Sequence, residues 1–214
     1  MKSLNLWVGV TFAAVAAHAA VINPGGAVVP NGIVTAVGTS SAILLTESGN
    51  YQFSAIPPDI SGSYVETAYA DTTNPFNSVP GVHDTTLVLQ LTAGGGTATI
   101  ERATLGYFGD VKISVSYVTS SSVAPIGATL SAQGTVIGFT FTGLTPGQVE
   151  TLVVYTSGTG AEPGGALSIQ DGTAGDAPGI SVIPEPAETG TLSGAFAMCG
   201  AWWLGRKRQT ARRG

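Results

Sequence analysis

Residue types that carry out nucleophilic or metal chemistry are scarce in this sequence. Its 214 residues include one cysteine, Cys199, and two histidines, His18 and His83. Cys199 and His18 lie in terminal segments that we expect to be removed, which leaves His83 as the only conventional zinc ligand. Because zinc sites need several cysteine or histidine ligands, we expect no zinc site.

The serine, histidine and acidic residues do not form a hydrolytic motif. The closest match to Gly-x-Ser-x-Gly is Gly38-Thr39-Ser40-Ser41-Ala42, but that motif requires a helix after the serine and none is expected here. His83 stands beside Asp84 in a loop. We therefore do not expect an enzyme. Paired carboxylates for glycoside hydrolysis stay an open alternative, because sequence spacing does not fix the distance between carboxyl groups.

Calcium is the more reasonable ligand for this composition. The stretch Asp171-Gly172-Thr173-Ala174-Gly175-Asp176 offers two carboxylates and several backbone carbonyls, and calcium prefers oxygen ligands. The spacing differs from that of an EF-hand loop. The alternative is a plain turn in which Asp171 accepts hydrogen bonds from backbone amides. We therefore expect either no cofactor or a calcium ion held by Asp171 and Asp176.

The elements that would position these residues are β-strands. Apolar residues recur at every second position, as in 87–91, 111–117 and 137–141, which is typical of strands with one buried face. The other predicted strands are 33–37, 42–46, 51–55, 64–70, 97–101, 152–155 and 166–169. Glycine and proline turns separate them. This pattern predicts an all-β domain, a single β-sandwich of roughly nine or ten strands with no helix.

The amino terminus is typical of a secretory signal peptide. Lys2 precedes the apolar run Leu4–Ala16, and Ala17-His18-Ala19 has the small-x-small pattern that signal peptidase cleaves. We therefore expect residues 1–19 to be removed and the mature chain to begin near Ala20.

The carboxyl terminus combines two prolines, an uncharged run and a basic cluster. Pro184-Glu185-Pro186 precedes Thr191–Gly205, fifteen residues without charge, and Arg206-Lys207-Arg208 follows. As a helix this run would be roughly 22 Å long, short for a hydrocarbon core of about 30 Å. The basic cluster predicts that this end stays in the cytoplasm. The sequence thus predicts a short membrane helix at the end of an exported chain.

These three parts, in this order, resemble the PEP-CTERM sorting signal. The resemblance implies that residues 182–214 are recognised and cut by an exosortase, a membrane enzyme of bacteria that make exopolysaccharide. The match covers about the last thirty residues, and its run is richer in alanine and glycine than the family's usual leucine-rich span. An ordinary anchor that is never cut is the alternative. Short stretches of the body, such as Tyr107–Val111 and Gly143–Gln148, also resemble uncharacterised PEP-CTERM sandwiches. This second likeness implies a fold and no activity.

Residues 20–181 would then form the passenger domain. Up to Ile183 the mature chain has two basic and eleven acidic residues, a formal charge of −9, so it should repel nucleic acid. The three tryptophans, Trp7, Trp202 and Trp203, all lie in the terminal segments, which disfavours a stacking platform for sugars.

The expected function is that of a non-enzymatic structural or adhesive protein. The chain would meet signal peptidase, then an exosortase while anchored in the inner membrane. It would end at the cell surface or in the extracellular matrix, where exopolysaccharide is a potential partner. A secreted carbohydrate-binding module or enzyme on the same scaffold is the alternative, since sandwiches host both.

Overall fold

The computed structural model describes residues 19–53, 60–78, 80–96, 99–106, 108–171 and 174–185. Every regular element among them is a β-strand. The thirteen strands are β1 (Ala20–Ile22), β2 (Ala27–Val28), β3 (Asn31–Ile33), β4 (Ala42–Phe53), β5 (Ile60–Ala70), β6 (Thr85–Gly96), β7 (Ile100–Gly106), β8 (Ile113–Val118), β9 (Gly127–Leu130), β10 (Val136–Leu144), β11 (Val149–Thr156), β12 (Gly160–Gln170) and β13 (Ala174–Ile183). The prediction of an all-β chain is confirmed for these residues.

The strands form two sheets. The first has seven strands in the order β1-β8-β11-β6-β5-β4, with β3 also paired to β8. The second has six in the order β13-β12-β7-β10-β9-β2. All pairs are antiparallel except β3 with β8. Strands β4 and β13 are therefore edge strands, one in each sheet, and they pack against each other.

One hydrophobic core is built from both sheets. The first sheet contributes alternate residues such as Leu87, Leu89 and Leu152, and the second contributes residues such as Leu105 and Phe139. All five are buried, because the period of two places every second side chain on the same face. A smaller cluster of Ile33, Val153 and Tyr155 covers part of the first sheet's other face.

The described residues form thirteen strands, more than the nine or ten that the sequence predicted. The predicted strands 42–46 and 51–55 are one strand, β4, because residues 47–50 also pair with β5. Pro163-Gly164-Gly165, which the sequence predicts to be one of the separating turns, is instead an irregularity inside β12, where Gly164 has a φ of 115°. Strands β1, β2, β9 and β13 were not predicted. Strand β13 contains Pro178, which an edge strand tolerates because its missing N–H faces no partner strand.

Candidate functional site

The carboxy-terminal junction joins the core directly to the predicted sorting motif. Val182 is buried in the core, and the Ile183 carbonyl accepts a 3.1 Å hydrogen bond from the Thr159 amide. The last strand thus runs to 183, two residues past the predicted boundary at 181. Pro184 and Glu185 follow at once and are exposed. The described part of the motif therefore starts where the strand ends, with no intervening linker.

Contacts with the loop after β7 place the start of this motif. A Cβ added to Gly109 would lie 3.0 Å from Pro184 Cγ, and Gly109 has a φ of 47°. A larger residue at this position would therefore crowd Pro184 and would also have to adopt an unfavourable backbone conformation. A hollow of about 400 Å³ is bounded by Gly109, Thr135, Glu162 and residues 181–184. Pro184, the first residue of the motif, therefore lies against the body.

Glu185 lies close enough to the body to affect a buried carboxyl group. Asp84 is 2% exposed. Burial raises the pKa of Asp84, the negative charge of Glu185 raises it further, and His83 lowers it. Residues Pro186, Thr191, Gly205, Arg206, Lys207 and Arg208 lie outside the described residues.

The amino-terminal junction is equally short. Ala20 is the first residue of β1 and pairs with Val115 of β8. Ala19, the last residue of the predicted cleavage motif, packs against the outer cluster of Val153 and Tyr155. Ala17 lies outside the described residues. A folded strand thus begins at the predicted start of the mature chain.

Asp71 is a carboxylate with several hydrogen bonds, and sequence reasoning missed it. Its Oδ1 accepts 2.9 Å hydrogen bonds from the Gly38 amide, the Ser41 hydroxyl and both the amide and hydroxyl of Thr73. Its Oδ2 accepts one from the Thr86 hydroxyl at 2.9 Å. Burial opposes the charge, but these bonds outweigh it and lower the pKa of Asp71. Asp71 therefore anchors two loops to β6.

This arrangement accounts for the stretch that most resembles a hydrolase motif. The Ser41 hydroxyl donates to Asp71 and accepts a 3.1 Å hydrogen bond from the Thr72 amide. His83 Nδ1 is buried and has no hydrogen-bond partner among the described residues. The Ser41 hydroxyl is therefore held by Asp71 and Thr72 rather than by His83.

The predicted calcium loop is a hairpin. Gln170 pairs with Ala174, so β12 and β13 are joined by residues 171–173. Asp176 is an exposed strand residue opposite Ser168, and Asp171 follows the end of β12. The two carboxylates thus lie at different levels of the hairpin. Within the described ranges, no group of three or more histidine, cysteine or acidic side chains is arranged to hold a metal.

Two other glutamates are buried in the core-facing side of the first sheet. Glu66, on β5, is 1% exposed, and its Oε2 accepts a 3.0 Å hydrogen bond from the Ile180 amide of β13. Its Oε1 is buried without a hydrogen-bond partner in the described part of the chain. Burial raises the pKa of Glu66 to about 7, the Ile180 bond lowers it, and Glu47 raises it.

Glu150, on β11, is fully buried beside Leu152. Burial raises its pKa to about 7, and the nearby Ser121 hydroxyl and the amides of Val123 and Thr151 offset part of the rise. Neither carboxyl oxygen has a hydrogen bond of good geometry to the residues that the structure describes. The burial of Glu66 and Glu150 could not be predicted from the sequence pattern, because the residues that surround them come from distant strands.

The outer face of the second sheet is polar. Arg102 extends from β7 across β10, donating to the hydroxyls of Thr140 at 3.1 Å and Thr129 at 2.7 Å. Gly138 lies beneath its guanidinium, and a Cβ there would collide with it. A hollow of about 340 Å³ nearby is lined by Thr104, Gly106, Thr135, Val136, Ala166 and Ser168. This face thus presents hydroxyl groups and one oriented guanidinium.

Comparisons with known proteins return nothing: no family model, no curated protein and no solved structure matches the chain. In the described ranges, no helix is long and apolar enough to cross a membrane.

Proposed function

We propose that this chain is an exported protein whose β-domain, residues 20–183, is sorted by an exosortase through its C-terminal segment. The observation that carries the proposal is where the folded unit starts and stops. Strand β1 begins at Ala20, directly after Ala17-His18-Ala19, and β13 ends at Ile183, directly before Pro184-Glu185-Pro186. Two separate processing motifs thus abut the two ends of one folded unit.

The two sheets are proposed to form a β-sandwich. Their shared core supports this arrangement, since residues of β6 and β11 cluster with residues of β7, β10 and β12. The hydrogen bond from the Ile180 amide to Glu66 links the two edge regions. Face-to-face packing of two antiparallel sheets over one core is the usual architecture of such domains.

The sorting route follows from the tail. Thr191–Gly205 would form a short membrane helix, and Arg206, Lys207 and Arg208 would keep its end in the cytoplasm. The exosortase would then act on Pro184-Glu185-Pro186 at the outer surface. The exposure of Pro184 and Glu185 supports this step, because a processing enzyme must reach the backbone it recognises. After cutting, the domain would reach the cell surface or extracellular matrix.

At its destination the domain is proposed to act as a structural or adhesive component in contact with exopolysaccharide. The hydroxyl-rich outer face of the second sheet supports this role, since neutral hydroxyls exchange hydrogen bonds with sugars at no electrostatic cost. Purified protein should co-sediment with the producer's polysaccharide. Replacing Thr104 and Ser168 with valine, which retains the strands, should reduce the bound fraction. Unchanged binding would contradict this use of the face.

The sorting proposal is tested by substitutions in the motif. Glu185→Ala and Pro186→Ala should leave export intact but trap uncut protein in the membrane, because they remove the charge and the rigid shape that an enzyme would recognise. Glu188→Ala, which removes an equal charge just outside the motif, is the matched control and should be processed normally. Immunoblots of membrane and released fractions give the result.

Deleting the exosortase should produce the same trapped species. If both motif variants are released at normal size and amount, the tail is a simple membrane anchor and the sorting proposal is wrong.

A further inference from the structure

Two acidic side chains face each other on the core side of the first sheet. Glu47 of β4 is directly opposite Glu66 of β5 in the antiparallel register. Such partners have Cβ atoms about 4.5–5.5 Å apart. Glu47 shares its face of β4 with Leu45 and Tyr51, which pack into the core. The two carboxyl groups therefore share one confined space between β4, β5 and β13.

Among the described residues, no basic side chain neutralises this pair. Arg102 and Lys112 are the only basic residues between 20 and 183. The Arg102 guanidinium donates to threonines on the outer face of the second sheet, and Lys112 lies next to β8, near Ser157. The buried Glu66 carboxyl group thus faces a second acidic side chain without a basic group to pair with, and a buried carboxylate is costly unless it is paired.

One oxygen of the pair has no hydrogen-bond partner. Glu66 Oε2 is occupied by the Ile180 amide, but Oε1 is buried and has no partner among the described residues. A buried carboxyl oxygen without a partner costs free energy unless something binds it. Its partner would have to come from outside the described protein groups.

A third oxygen group lies beside the pair. Tyr64 is on the same face of β5 as Glu66, and its hydroxyl oxygen is 3.1 Å from the position of a Cβ added to Gly49, two residues from Glu47 along β4. A site of carboxylates and a hydroxyl, without nitrogen or sulfur, is the kind that calcium prefers. Glu47 is half-buried on an edge strand, so an ion has a path from solvent.

We propose that Glu47 and Glu66 bind a divalent, oxygen-preferring cation between them, beneath β13. The ion neutralises both carboxylates, takes the free Oε1 of Glu66 as a ligand and ties β4 and β5 to the strand that carries Ile180. This site is separate from the Asp171–Asp176 hairpin and does not depend on how the tail is processed.

The experiment uses the full chain in mild detergent, with calcium chloride as the probe. Calcium should raise the melting temperature of the wild type, because a ligand bound only by the folded state stabilises it. Glu47→Gln, which keeps the size of a half-buried side chain, should abolish the shift and weaken binding in calorimetry by roughly tenfold or more. Glu150→Gln, which changes another buried acid, is the matched control and should keep the shift.

Terbium provides a second readout. Its emission should be sensitised by tyrosine excitation in the wild type and fall in Tyr64→Phe, while Glu47→Gln should lose it together with calcium binding. Asp171→Asn and Asp176→Asn should leave both signals unchanged.

Two results would overturn the proposal. One is the absence of any calcium-dependent shift in the wild type, which would mean that the pair binds no ion. The other is a shift that persists in Glu47→Gln but disappears in Asp171→Asn, which would place the ion at the hairpin.

Discussion

At the scale of single residues, the body is organised by buried acids in contrasting surroundings. Asp71 accepts five hydrogen bonds through its two carboxyl oxygens, whereas Glu150 is buried without hydrogen bonds of good geometry in the described residues. The first environment favours the charged carboxylate and the second favours the protonated acid. The two kinds of acid should therefore affect stability in opposite directions as pH changes.

Asp71→Ala should destabilise the protein by about 3 kcal/mol, because it removes the acceptor of one buried and four part-buried hydrogen bonds and hydrogen bonds to charged groups contribute about 1.5–3 kcal/mol each. Urea unfolding at neutral pH measures the loss. Asp176→Ala, at an exposed strand position, should change stability by less than about 0.5 kcal/mol. Similar values for the two variants would contradict the anchoring role of Asp71.

Glu66 and Glu150 should make the free energy of unfolding depend on pH. In the folded state each keeps its proton up to a pKa of about 7, whereas the unfolded chain releases it near the ordinary pKa of 4.5. Raising the pH between these values therefore favours the unfolded state. Stability should fall from about pH 5 to pH 7 and level off above pH 7.

Urea unfolding across this range, with chelator present to keep cations away from Glu47 and Glu66, tests the prediction. The double variant Glu66→Gln, Glu150→Gln should show a flatter profile. Asp71 has the opposite effect on stability. Because folding lowers its pKa, the charged carboxylate stabilises the folded state, and this stabilisation is lost only as the pH falls through the acid range. A wild-type profile that rises between pH 5 and pH 7 would contradict the assignment of the two glutamates.

At the scale of strands, the sequence predicted the central elements better than the edges. Residues 87–91 and 137–141 alternate clearly and lie in β6 and β10. Strand β13 was not predicted because Gly175, Pro178 and Gly179 interrupt the alternation of apolar and polar residues. The Glu47–Glu66 pair could not be foreseen either, since it depends on the register of β4 against β5, and that register is fixed by the whole fold rather than by either segment.

The pairing of β12 with β13 should be sensitive to a single methyl group. A Cβ on Gly165 would collide with the backbone carbonyl of Ile180, so Gly165→Ala should destabilise the protein by about 1–3 kcal/mol. Gly127→Ala is the matched control, because the nearest atom to its new Cβ would be 3.9 Å away. Thermal unfolding compares the two. An equal effect at both positions would mean that β13 moves aside freely.

At the scale of the whole molecule, the folded unit should be independent of both terminal segments. The fragment 20–183 contains every residue of the described core, and the only cysteine, Cys199, lies outside it. It should therefore fold alone with a β-type circular dichroism spectrum and a melting temperature indifferent to reductant.

A fragment ending at Ser181 is the control for this prediction. It lacks Val182, which is 3% exposed, and the Ile183 carbonyl that Thr159 uses. Burying a valine contributes about 1.5–3 kcal/mol, so the shorter fragment should melt roughly 5 °C lower. A helical spectrum, or equal melting of the two fragments, would contradict the described end of the domain.

The position of β1 in the first sheet also determines how early in synthesis this strand can pair. Among the described strands β1 pairs with β8 alone, and the first residue of that pairing on β8, Ile113, lies 93 residues after Ala20. At about 5–20 residues per second of synthesis, roughly 5–20 s pass before β8 emerges to receive β1. During that interval β1 has no partner strand, so the proposed cleavage site after Ala19 would be accessible to signal peptidase. Once β8 arrives, the same bond sits against a finished strand, so late cleavage would have to compete with folding.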